Sequence, residues 1–147
     1  VGERVCLMAR YDKYDPISGG FRAALAADWD DADCGDPFAV GLDSSGRVVK
    51  GAGQTGIVGV LVVDGQVSGT GTRVSNKFAG DIVDVMTAGE IVEATSSTGT
   101  ALVAGTAYYG VPADGTLSAT ATANKKIGFT VALDRLVVRV GGSGTGA

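Results

Sequence analysis

The run GIVGVLVVDG at residues 56–65 constrains the fold more than any other stretch. β-Branched side chains lose rotamer freedom in a helix and pack well on a pleated surface. Runs of the same kind return as IVDVM (82–86), EIVEA (90–94), KIGFTVAL (126–133) and RLVVRV (135–140). Gly, Asp, Ser or Thr separates most of them, and each has the length of a strand. In IVDVM and EIVEA the acids fall on the face opposite some apolar residues, as in a half-buried strand. Only FRAALAADW (21–29) is rich in the helix formers Ala and Leu. Even there Arg22, Ala24 and Ala26 alternate with Phe21, Ala23 and Leu25, which suits a strand equally. The chain reads as all-β.

Two repeats organise the strands. In CGDPFAV (34–40), AGDIVDV (79–85) and AGEIVEA (88–94), and more loosely in AGTAYYG (104–110), a glycine leads into an apolar alternation. Glycine permits a tight turn and the acid that usually follows favours one, so each phrase predicts a turn feeding a strand. The longer repeat lays residues 38–62 over 107–131 without gaps. Gly41 meets Gly110, Gly46 meets Gly115, Gly59 meets Gly128, Val48 meets Leu117 and Val60 meets Phe129. The expectation is two related hairpin units that close one small antiparallel β-barrel over residues 21–140. Residues 1–20 stand apart as an N-terminal arm or edge strand, and GGSGTGA (141–147) has the composition of a flexible tail.

The absence of histidine from all 147 residues narrows the chemistry most. It removes Ser-His-Asp and Cys-His catalysis, the zincin motifs and the usual proton shuttle at neutral pH. A net charge of −4 lacks the basic stripe of a nucleic-acid binder. No window holds the ~18 uninterrupted apolar residues of a membrane span. The opening VGERVCLMARYDKYD is charged early and has no apolar core of a signal peptide. Two cysteines, Cys6 and Cys34, are too few for a disulfide scaffold and read as buried or free thiols, with one bridge between them as the alternative.

Three motifs invite a functional reading. ADWDDADCGD (27–36) crowds five aspartates around Trp29 and Cys34. Neither register of a calcium loop fits, because the required oxygen, glycine and glutamate positions are missed from Asp28 and from Asp31 alike. Acids on a turn do not flank a cleft as a glycosidase pair must. The segment therefore reads as a solvated turn, with Trp29 packed against the domain or a partner. An irregular calcium site of Asp30, Asp31, Asp33 and Asp36 is the competing reading. GAGQTG (51–56) matches G-x-G-x-x-G, but a β-branched run follows where a dinucleotide site needs a helix. DVMTAGEIVEA (84–94) is similar to the hairpin of a lipoyl or biotinyl carrier domain, yet Thr87, Ala88 and Gly89 stand where the modified lysine would be. The chain reads as a non-enzyme without a cofactor or metal.

The order of GDPFAVGLDSSGRVVKGAGQTGIVGVLVVDG, FAGDIVDVMTAGEIVE and GTAYYGVPADGTLSATATANKKIGFTVALDRLVVRV resembles the capsid decoration, or cement, proteins of tailed bacteriophages. The AGD-led phrases, the YY…DGxL hairpin and the strand IGFTVAL carry the resemblance, which covers residues 21–140. It implies a small β-barrel or β-tulip-like domain, a location on the outer surface of the virion, binding to the major capsid protein, and a homotrimer on the capsid. It implies no nucleic-acid or membrane partner. A secreted or virion-surface module that binds glycan or protein is the alternative. Aromatics and arginines are favoured interface anchors, so the expected contacts are Arg4, Arg10, Tyr11, Tyr14, Phe21, Arg22 and Trp29. The competing expectation is that the rings among them cap the core.

Overall fold

The computed structural model describes residues 19–63, 65–67, 73–92, 96–97 and 100–141. Arg4, Cys6, Arg10, Tyr11 and Tyr14 lie outside the described residues, as do positions 142–147 of the tail. The described chain is all-β, with one 3-10 turn at Asp31–Asp33. The first sheet takes β1 (Gly20–Ala24), β2 (Phe38–Leu42), β3 (Val48–Lys50), β4 (Gly59–Leu61) and β7 (Ile82–Met86) in the order β1-β7-β4-β2-β3. The second takes β8 (Ala88–Val92), β11 (Ala107–Gly110), β12 (Leu117–Ser118), β13 (Lys125–Ala132) and β14 (Arg135–Arg139) in the order β8-β14-β13-β11-β12. Two small hairpins complete the set: β5 (Gly65–Val67) with β6 (Arg73–Ser75), and β9 (Ser96–Ser97) with β10 (Thr100–Ala101). All named strand pairs are antiparallel.

The expected barrel is therefore corrected to two packed five-stranded sheets. The physical reason lies at Thr87, where the chain leaves β7 of the first sheet and enters β8 of the second instead of folding back as a hairpin. The carrier-like hairpin at 84–94 is accordingly no hairpin. FRAALAADW forms strand β1 followed by irregular chain. Gly89, expected in a turn, lies inside β8 opposite Val138.

Strands in corresponding places follow the same chain order in both sheets. β2, β3 and β4 of residues 38–62 hold the places that β11, β12 and β13 of residues 107–131 hold in the second sheet. β1 and β7 pair from Gly20↔Met86 to Ala24↔Ile82, and β8 and β14 pair over five matching rungs from Ala88↔Arg139 to Val92↔Arg135. Sequence neighbours on β2 separate the two cores. Phe38 and Val40 point into a cluster with Leu25, Trp29, Cys34, Val48, Leu61, Val83 and Val85. Ala39 between them points into a second cluster, where Ile57 and Val60 of the first sheet's side meet Tyr108, Ile127, Leu136 and Val138 of the second sheet. β2 and β4 at the centre of the first sheet are thus buried on both faces, with loop 26–37 on one side and the second sheet on the other. The close approach needs small residues: a side chain at Gly110 would run into Ala39 and come within 2.7 Å of Ile57 Cδ1.

Candidate functional site

The aspartate-rich turn is fastened by its own carboxylates. Asp28 Oδ1 accepts from Ala79 N–H at 2.8 Å, and Asp31 Oδ1 accepts from Ser75 N–H at 2.8 Å. Asp30 and Asp33 both accept from the Lys50 ammonium, Asp30 at 3.1 Å. Trp29 is buried and meets Phe38 edge-on, with centroids 5.5 Å apart and planes at 90°. Lys50 Nζ lies 4.6 Å from the Trp29 ring centre and 4.9 Å from that of Phe38. Four acids of the turn are thus engaged in pinning it to β3 and to residues 75–79. Among the described residues no group of three or more His, Cys, Asp or Glu is placed to hold a metal ion.

Burial of the Lys50 ammonium pulls its pKa down. Hydrogen bonds to Asp33 and Asp30, with the attraction of their charges, outweigh it and raise the net value above 10.5. A base whose pKa rises on folding contributes stability that is complete below its unfolded pKa and is lost as pH climbs through the folded one. Lys50→Met is expected to cost about 2 kcal/mol near neutrality, because it removes both the charged hydrogen bonds and the cation–π attraction. The gap between variant and parent should narrow above pH 10.5. Urea denaturation at neutral and alkaline pH measures both, and an equal gap at both would refute the pairing.

The second surface is an exposed apolar face at one end of the second sheet. Four of the eight exposed large hydrophobics among the described residues are Val92, Phe129, Val131 and Leu133, at the end of the sheet where β8, β13 and β14 meet the 133–134 turn. Phe129 stands between Ala107 and Val137, and Val92 pairs with Arg135 beside the 133–134 turn. Val131 is an extra residue on β13, since Thr130 opposes Leu136 and Ala132 opposes Arg135. Such a bulge bends the strand and re-aims its side chains. The face is bordered by a bidentate pair, Arg135 Nε donating to Glu90 Oε2 at 2.6 Å and Nη2 to Oε1 at 3.1 Å. Arg135 holds the Glu90 carboxyl below its ordinary pKa, hydrogen bonding being the larger cause.

The structure distributes the residues that the sequence marked as interface anchors. Trp29 is a core residue, Phe21 is half-buried against the same cluster, and Arg22 is exposed with its Nε donating to Asp84 Oδ1 at 2.7 Å. It does not bring these three into one exposed patch. Lys50 and the Phe129 face were missed. The signal available for the latter was apolar residues at both even and odd positions of KIGFTVAL, more than one buried face requires.

No helix among the described residues is long and apolar enough to cross a membrane. No protein-family model and no curated protein matches the chain. A solved structure from Mycobacterium phage Patience is similar, at 26% sequence identity and a TM-score of 0.72. The likeness covers 91% of this chain and 97% of that one.

Proposed function

We propose that the protein is a structural component of a phage virion, a capsid decoration protein that binds the outer surface of the major capsid lattice and stabilises the head. The observation that carries this reading is the likeness to a phage chain over nearly the full length of both. In this reading the two stacked sheets are the β-tulip-like scaffold of such proteins, and the work is done by surface contact without catalysis. The Phe129 face supports it, because contiguous exposed apolar residues on a folded domain mark interaction sites. A homotrimer would gain avidity of about 10²–10⁴ over a single contact.

Co-sedimentation with mature capsids stripped of the protein, beside DNA-free precursor shells, tests the reading. Saturable binding at a fixed copy number per capsid is the expected result, and no binding to either shell would overturn it. Phe129→Glu should weaken capsid binding by about 30-fold or more, as loss of an interface anchor does, while the circular dichroism spectrum stays that of the parent. Deleting residues 1–18 tests the arm: undiminished binding would remove Arg4, Arg10, Tyr11 and Tyr14 from the contact.

A further inference from the structure

The charges of this molecule are sorted between its two outer sides. Segment 26–37 holds five aspartates and no base, and it covers the side of the first sheet that faces away from the second. Lys50 reaches it from β3. The opposite side of the molecule is the outer face of the second sheet. Leu136 and Val138 point into the cluster between the sheets, so Arg135, Val137 and Arg139 point outward on β14. Residues opposite each other in a ladder share a face. Register therefore adds Glu90 and Val92 of β8 and Phe129 of β13. Tyr108 also points inward, which leaves Tyr109 and its ladder partner Lys126 on the outer face.

In a chain of net charge −4, these strands thus present Lys126, Arg135 and Arg139 outward against the single acid Glu90. Glu90 is already held by Arg135. Lys126 and Arg139 are exposed and have no ion-pair partner among the described residues. They stand on neighbouring strands at the end of the sheet remote from Leu133, since β13 begins at Lys125 and β14 ends at Arg139. Phe129 and Val137 lie between this basic end and the apolar end at the 133–134 turn. A purely apolar partner laid over the whole face would strip water from two cations and give them nothing in return, which is costly. Two copies of the chain placed face to face would set an excess of positive charge against its like. Carboxylates at the basic end of the partner satisfy both requirements.

We propose that the outer face of the second sheet binds an acidic protein surface, one with an apolar patch over Phe129 and Val137 and carboxylates opposite Lys126 and Arg139. The inference rests on the capsid reading, in which that surface belongs to the major capsid protein and the aspartate-rich turn faces away from the head. Attraction at the basic end speeds encounter and fixes the orientation in which the domain docks, while the apolar centre supplies contact that salt does not screen.

The test titrates stripped mature capsids with the parent, with the double variant Lys126→Gln/Arg139→Gln, and with Arg47→Glu. The last two change the net charge equally, but Arg47 is an exposed residue of the turn between β2 and β3 in the first sheet. The double variant is expected to bind about tenfold more weakly than the parent in about 0.05 M NaCl, and within about threefold of it in about 0.5 M NaCl. Arg47→Glu should stay within about twofold of the parent at both salt concentrations. Near-UV circular dichroism checks that both variants keep the parent's packing. Undiminished binding by the double variant would overturn this inference alone. So would equal losses in the two variants, which would assign the effect to net charge, or a loss that salt leaves unchanged. No binding by the parent would overturn the capsid reading and this inference with it.

Discussion

Gly115→Val is expected to cost about 2–5 kcal/mol of stability, a large share of what a domain of this size has. Gly115 has φ +76° and sits where three stretches of main chain meet. Ala39 N–H donates to its carbonyl at 2.7 Å, and Gly51 N–H donates to the Ala39 carbonyl at 2.9 Å. A side chain there would run into the Ala39 carbonyl oxygen and lie 2.7 Å from Gly51 N, neither of which can swing aside. Overpacking costs about 1–3 kcal/mol and the left-handed backbone about 1–2 more, against a total stability of about 5–15 kcal/mol. Its repeat counterpart Gly46 has the same φ of +76° with nothing within 4 Å of the added carbon. Gly46→Val should therefore incur only the backbone strain of about 1–2 kcal/mol. Urea denaturation of the two variants separates the contributions. Equal losses would mean that the junction between the sheets yields.

The second large effect is expected for Leu136→Ala, at about 3 kcal/mol. Leu136 is 0% exposed and lies in the cluster joining the two sheets, where truncation leaves a cavity walled by both. Leu133, three residues earlier in the 133–134 turn, is 61% exposed, so Leu133→Ala should change stability by less than about 0.5 kcal/mol. Chemical denaturation midpoints measure the contrast. A loss at Leu133 comparable to that at Leu136 would show that the outer face is covered in solution, with self-association the first cause to check.

Much of the secondary structure was legible because it rests on local pattern. IVDVM is β7 residue for residue, KIGFTVAL is β13 shifted by one, and RLVVRV begins β14. The same local logic misplaced Gly89, since alternation around a glycine looks alike whether the glycine turns the chain or lies within a strand. The candidate sites were less legible. Lys50 follows two valines in an unremarkable strand, and nothing nearby announces that it reaches back to Asp30 and Asp33. The Phe129 face is extended by the extra residue at Val131, and a bulge changes which side chains point outward without altering composition.

Residue order alone establishes that this chain is built of short strands, that segments 38–62 and 107–131 share a pattern, and that histidine chemistry is closed to it. Those conclusions follow from side-chain shape, glycine spacing and residue inventory, which act within a few residues or over the whole chain at once. The separation of β7 and β8 into different sheets, the core position of Trp29 and the outward turn of Phe129 emerge only in the folded molecule. Each of these depends on which strands pair across long stretches of chain. That choice is set by the combined burial of two faces, a quantity no single segment carries.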